Sequence, residues 1–160
     1  MSRETSLAWL AGFFEGEGHI SINKTQWGGT VGITQKNGRL VRHIIELVRL
    51  LRLPTPSISQ PTERMSCYTL VWSCMKGTQF LQAIRPYFHH PHKMARADIY
   101  LQFFRLEDAY KKRVKEGDRR ERQLLFAQFE LQQQMEQEER EKKPKRITVG
   151  LSKVMVVKGP

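Results

Sequence analysis

Two carboxylates lie close together in the segment at residues 10–18, which reads LAGFFEGEG. Glu15 and Glu17 are two residues apart, so at the end of a helix they cannot point in the same direction. One of them can therefore face a metal ion and solvent, while the other serves the structure. Carboxylate oxygen is a ligand that Mg²⁺ prefers, so this segment is the first candidate for metal-assisted chemistry.

Small residues recur at every fourth position of the same predicted helix. Ala8, Gly12 and Gly16 share one side of it, and small residues there allow two backbones to approach closely. Two interpretations follow. Either the helix packs against its equivalent in a second copy of the chain, or its small residues are buried against the chain's own sheet.

The segment at residues 10–18 resembles the LAGLIDADG motif of homing endonucleases, with aromatic residues in place of aliphatic ones and glutamate in place of aspartate. The predicted element order over about residues 5–110 is also similar to that family. The resemblance implies an α+β, αββαββα fold, in which a four-stranded antiparallel, saddle-shaped sheet carries helices on one face and extra C-terminal helices follow. It further implies a site-specific homing endonuclease that makes metal-dependent double-strand breaks in a long pseudo-palindromic DNA site, promoting the homing of an intron or mobile element.

The chain carries one copy of the motif, which in this family implies a homodimer whose motif helices pack together. The resemblance places Glu17 and Gly16 at a bound Mg²⁺ or Mn²⁺ ion and gives Glu15 a structural role at the helix end. The residues that it implies for the dimer interface are Ala8, Trp9, Ala11, Gly12, Phe13, Glu15 and Gly16.

Three further residues match catalytic positions of the family besides Glu17. Gln35, at the end of a predicted strand, resembles a residue that positions the attacking water. Arg39 resembles a basic residue near that water, and Lys93 resembles a lysine that reaches the active site. The alternative for Gln35 is an ordinary polar residue at a strand end.

Polar side chains follow the outer face of the predicted hairpins, where hydrogen-bonding groups on paired strands can read base edges in the major groove. Without the motif, a solvated face would be the default interpretation. With it, the residues predicted to contact double-stranded DNA are Ser21, Asn23, Thr25, Gln26, Trp27, Thr30, Thr34, Lys36, Arg64 and Thr69.

These residues need a helix–hairpin–helix–hairpin frame to bring them together. Apolar periodicity predicts helices at 7–14, from Asn37 to about residue 51, and at 77–84, 93–112 and 119–142, with strands at 19–24, 30–35, 58–60 and 68–74. Thr5 or Ser6 is the predicted N-cap of the first helix. The last helix carries an apolar stripe near heptad spacing, formed by Leu124, Gln128, Leu131 and Met135. Residues 1–142 form one predicted domain, and residues 143–160 form a basic tail.

The charge favours a polyanionic partner, because 27 Lys+Arg against 16 Asp+Glu give a formal net charge of +11. The longest apolar run, at residues 7–14, is shorter than the roughly 20 residues of a membrane helix, and no signal-peptide pattern precedes it. Two cysteines make no disulfide framework. We expect a bacterial or phage-host cytoplasm or an organelle, no membrane partner and no secretion. His89, His90 and His92 give only a weak zinc signal.

Two other functions remain open. A protein of the same fold can act as an RNA maturase that assists an intron, or as a non-catalytic DNA-binding regulator. A basic ribosome-associated module is the alternative that ignores the motif.

Overall fold

The computed structural model describes residues 2–23, 28–63, 65–105 and 116–142. Within these ranges the fold is α+β with a four-stranded antiparallel sheet, as predicted. The helices are α1 Arg3–Glu17, α2 Gly38–Leu50, α3 Cys74–Ile84, α4 Pro91–Phe103 and α5 Glu116–Lys142, and a 3₁₀ turn spans Arg85–Tyr87. The strands are β1 Gly18–Asn23, β2 Gly28–Gln35, β3 Ser57–Ser59 and β4 Tyr68–Ser73.

The sheet has the order β1-β2-β4-β3, so each hairpin contributes two strands and β2 pairs with β4 at the centre. Side chains alternate between its faces along each strand. Ile20, Val31, Leu70 and Trp72 are buried on the face covered by helices. The opposite face, which we call the polar face, carries mainly hydroxyl-bearing side chains and has no covering helix among the described residues.

Helix α1 runs directly into β1 through a close contact at its last glycine. Ser2 is the N-cap, because its side chain accepts a hydrogen bond from the Thr5 backbone, so the prediction of Thr5 or Ser6 was wrong. A Cβ on Gly18 would lie 2.5 Å from the Phe14 carbonyl oxygen and inside contact distance of the Phe14 ring. The sharp turn from helix to strand therefore requires a residue without a side chain.

Helices α2 and α4 have clear start signals. Asn37 caps α2, accepting hydrogen bonds from the backbone amides of Arg39 and Leu40. Helix α4 begins at Pro91, two residues before the predicted start, because proline suits the first turn of a helix, where a backbone N–H has no partner.

The predicted apolar stripe of α5 does not face the core. Leu124 and Leu131 are 65% and 55% exposed, whereas Leu125 and Phe129 are buried. Helix α5 packs along α4 through this second set of residues. Heptad spacing selected the wrong side of the helix because α5 carries two apolar stripes, and only packing distinguishes them.

No helix in the described ranges is long and apolar enough to cross a membrane. The basic tail at 143–160 lies outside the described residues.

Candidate functional site

The small-residue side of α1 is open. Ala8, Gly12 and Gly16 are exposed, and a Cβ on either glycine would meet nothing within 4 Å. These residues are therefore not buried against the chain's own sheet, which removes one of the two interpretations of the stripe. Ala11 is a correction to the predicted interface, because it is 0% exposed and belongs to the core of its own chain.

Aromatic residues border the open side of α1. The half-buried rings of Trp9 and Phe13 stack with centroids 5.4 Å apart, and Trp9 meets the edge of His43 on α2. The helix thus presents a flat aromatic surface beside its small residues.

The carboxylate of Glu15 holds two chain segments together. Its Oε1 accepts hydrogen bonds of 2.7 and 2.5 Å from the backbone amides of His89 and His90. These amides lie just before α4, so Glu15 ties the end of α1 to the start of α4. This is a structural contact, and it leaves Glu17 as the exposed carboxylate of the pair.

A hollow of about 290 Å³ lies beside Glu17, at the end of β2. It is lined by Glu17, Thr34, Gln35, Lys36 and Cys67. Four of these five were predicted from the sequence as catalytic or DNA-contacting residues. Cys67 was not, and nothing in its spacing could have indicated it. The hollow combines one carboxylate, one ammonium group and amide and hydroxyl groups. Such a set of groups can bind a phosphate group together with a water molecule.

Gln35 is held rigidly at the rim of this hollow. Its Oε1 accepts hydrogen bonds from the backbone amides of Lys36 at 2.8 Å and Asn37 at 3.1 Å. No hydrogen bond within the described part of the chain uses its side-chain nitrogen. The amide NH₂ group is thus oriented by the oxygen contacts and can donate to a water or a phosphate oxygen.

Lys93 lies beside the turn from α1 to β1, but it is buried. Its Nζ donates a 2.5 Å hydrogen bond to the Gly18 carbonyl, 5.6 Å from the Phe14 ring centroid, and the residue is only 6% exposed. Burial, reinforced by the charge of Arg96, lowers the pKa of Lys93. The lysine is therefore next in space to the Glu17 segment, yet its ammonium group contacts protein and not solvent.

Helix α5 closes over Lys93 through a charged cluster. Glu136 is buried and accepts hydrogen bonds of 2.9 Å from Arg96 and 2.6 Å from Arg140. Burial alone would raise the pKa of Glu136, but the hydrogen bonds from Arg140 and Arg96 outweigh it and the pKa is lowered.

The histidine segment belongs to the same junction. His92 Nε2 lies 2.9 Å from Glu139 Oε2 on α5, and the rings of His90 and His92 are 5.7 Å apart. No group of three or more His, Cys, Asp or Glu side chains in the described ranges has a metal-binding arrangement. Of the three histidines, His92 joins α4 to α5 through its contact with Glu139.

The polar face carries the predicted DNA contacts on β1, β2 and β4. The hydroxyls of Ser21 and Thr30 share a 2.9 Å hydrogen bond across the strands, and the register places Thr34 opposite Thr69. Strand alternation places further residues on this face that were not among the predicted contacts: His19, Ser57, Ser59 and Ser73.

His19 is the ring at the Glu17 end of this face. A Cβ on Gly32 would lie 2.5 Å from its Nε2, so the imidazole lies directly over that glycine. Burial, with the charges of Lys93 and Arg96, lowers the pKa of His19 and favours the neutral ring. The period of two along β1 was the available signal for this residue.

Four predicted DNA contacts, Thr25, Gln26, Trp27 and Arg64, lie outside the described residues. Arg39 is exposed near the N-terminus of α2, one turn beyond Lys36.

No protein-family model matches the chain, and no curated protein matches it.

Proposed function

We propose that the protein is a site-specific, metal-dependent double-strand DNA endonuclease of the LAGLIDADG type, acting as a homodimer. The observation that carries the proposal is the position of Glu17. It ends an α-helix whose small-residue side is open, and it borders the hollow that Gln35 and Lys36 also line. That hollow adjoins a polar sheet face in a chain of net charge +11.

The residues at the hollow fit a divalent cation that takes few ligands from the protein and most of its ligands from water and the DNA phosphate. Glu17 is a single exposed carboxylate, and Mg²⁺ is commonly bound by one or two carboxylates together with waters and phosphate oxygens. When bound, the metal would activate water and stabilise the leaving oxygen. The second carboxylate would come from Glu17 of the other copy across the open side of α1, with Gly16 allowing the close approach. Mn²⁺ would suit the same oxygen donors.

The side chains of this chain would orient the reacting groups. The NH₂ group of Gln35 would donate a hydrogen bond to the attacking water, because its oxygen is already committed to two backbone amides. Lys36 and Arg39 would hold the phosphate oxygens by charge-assisted hydrogen bonds. Lys93 would contribute indirectly, because its hydrogen bond to the Gly18 carbonyl would hold the turn that follows Glu17.

Recognition would use the polar face. Paired hydroxyl and amide side chains on β1, β2 and β4 both donate and accept hydrogen bonds, which suits base edges in a major groove. Two copies related by a two-fold axis would read a long pseudo-palindromic site. The biological role that follows is the homing of the intron or mobile element that encodes the protein.

The test is a cleavage-site selection on a DNA library in Mg²⁺ with wild-type protein and Glu17→Gln. We expect double-strand cuts at one long near-palindromic site, abolished in the variant while DNA binding is kept. Glu130→Gln, the same substitution at an exposed carboxylate of α5, is the matched control and should cut normally. Failure of the wild type to cut any sequence, with tight binding to DNA or RNA, would reject the endonuclease.

One observation favours a second candidate, an intron RNA maturase or a non-catalytic DNA-binding regulator of the same fold. Lys93 is buried on the Gly18 carbonyl and is not presented to a phosphate. Such a protein would bind its nucleic acid tightly but cut no DNA in Mg²⁺, with or without Glu17.

A further inference from the structure

Helix α2 carries a row of arginines on its solvent side. Arg42 and Arg49 are exposed along the helix, and Arg52 follows just beyond its end. We call these three residues the basic ridge. Glu46 is the one carboxylate of α2, and no ion pair in the described part of the chain engages any of the three arginines. The ridge therefore carries a net positive charge.

The ridge faces away from the sheet. The opposite side of α2 buries Val41, Ile44, Leu47 and Val48 in the core, and the helix packs on β2 and α1. The polar face lies on the other side of that core. A duplex lying on the polar face therefore cannot also contact Arg42 and Arg49.

Membrane attachment does not explain the ridge. A helix that binds a bilayer surface must offer its apolar side to the lipid, and the apolar side of α2 is already used by the core. Arginine, by contrast, pairs with phosphate through two parallel hydrogen bonds and is the preferred residue for nucleic-acid backbones.

The spacing of the ridge fits a B-form duplex. Arg42 and Arg49 are two turns apart, about 10 Å along the axis at 1.5 Å per residue. The major groove of B-DNA is about 12 Å wide, so Arg42 and Arg49 can each reach one of the strands that border it. The A-form RNA major groove is narrow and deep, which suits this spacing less well.

Arg52 extends the ridge at a backbone position that favours glycine. Its φ is 55°, in the left-handed region that residues with a side chain adopt only at a cost. The chain nevertheless carries an exposed arginine there, three residues after Arg49.

We propose that the basic ridge binds the phosphate backbone of a second segment of duplex DNA, so that the protein can hold two duplexes at once. This inference rests on the proposed function only in assigning the first duplex to the polar face. Binding a second segment would let the protein transfer between DNA segments while it searches for its site.

The experiment is a bridging assay with the full chain. A short biotinylated duplex on beads captures the protein, and retention of a second, fluorescent duplex of unrelated sequence is measured. We expect wild type to retain the second duplex and Arg42→Gln/Arg49→Gln to lose it. The matched control is Arg3→Gln/Arg105→Gln, which removes the same charge from exposed positions off the ridge and should retain it.

The salt dependence gives a second readout. Each phosphate contact contributes about 0.9 to the slope of log K against log salt, so the ridge variant should lower the slope for the second duplex by about 2. Thermal or urea unfolding should show the variant to be as stable as wild type, since both arginines are exposed and unpaired.

Three outcomes would overturn the ridge proposal. The ridge variant could still bridge two duplexes, or wild type could retain a structured RNA hairpin in preference to duplex DNA. The third outcome is a ridge variant that no longer forms dimers, which would make the ridge a contact between copies of the chain. Wild type that bridges but cuts no DNA would instead reject the proposed endonuclease and leave the ridge standing.

Discussion

Replacing Gly18 by alanine tests whether the turn from α1 to β1 depends on contact with Phe14. The new Cβ would lie 2.5 Å from the Phe14 carbonyl oxygen and closer still to its ring. That ring cannot move aside easily, because it is fully buried and packs against Phe80 and Phe88, with centroids 5.8 Å away in each case. Overpacking of this kind costs about 1–3 kcal/mol. We expect the upper half of that range, because one of the contacts is with rigid backbone.

Gly12→Ala is the matched control on the same helix. Its Cβ would meet nothing within 4 Å, and alanine gains roughly 1 kcal/mol over glycine inside an exposed helix. Urea unfolding followed by circular dichroism, at protein concentrations where sedimentation shows only monomer, should therefore show opposite signs: a lower free energy of unfolding for Gly18→Ala and a higher one for Gly12→Ala. Sedimentation should separately show weaker self-association for Gly12→Ala, because the proposed dimer needs the small residue.

A stability for Gly18→Ala within about 0.5 kcal/mol of wild type would refute the steric argument, since surface substitutions without a contact fall in that range. A lower free energy of unfolding for monomeric Gly12→Ala would contradict the open side of α1, because the added methyl group would then have to meet a neighbour in its own chain.

Two further predictions concern α5. Phe129→Ala should lower the free energy of unfolding by about 3–5 kcal/mol, because the ring is buried against α4. Leu131→Ala, on the exposed stripe, should change the free energy of unfolding by less than about 0.5 kcal/mol. Denaturant titration of both variants measures the two effects, and a larger loss for Leu131→Ala would show that the heptad stripe faces the core. Glu136 has a lowered folded-state pKa, so its stabilising contribution is present above the unfolded value near 4.5 and is lost as the pH falls through the folded value. The stability difference between wild type and Glu136→Gln should therefore shrink below about pH 4.5, and a difference that stays constant from neutral pH to pH 3 would contradict the arginine–carboxylate cluster.

Much of the fold could be predicted because its signals are local. Asn37 caps a helix through its own side chain, and alternation along β1 and β2 defines which residues meet the core. The hollow could be anticipated only in part. Glu17 and Gln35 were both candidates, but their common hollow depends on the register in which Gly18 pairs with Ile33, close to the end of β2.

The sequence did not predict which side chains are buried. Ala8 and Ala11 are identical residues three apart on one helix, yet one is exposed and the other is sealed in the core. Lysine is a residue type that usually lies at the surface, but Lys93 is buried where Glu136 and Arg140 of α5 lie beside it. Neither outcome can be derived from a residue type, because it depends on which neighbour packs against that side.

The sequence by itself determined local features: the order of helices and strands, the cap of α2 at Asn37, and which strand residues share the polar face. These depend on sterics and hydrogen bonds within a few residues. Only the tertiary structure decided that Glu15 is used in fastening α4, that Lys93 is buried, and that the basic ridge stands apart from the polar face. Those facts join residues as many as 75 positions apart, and they exist only once the helices have packed on the sheet.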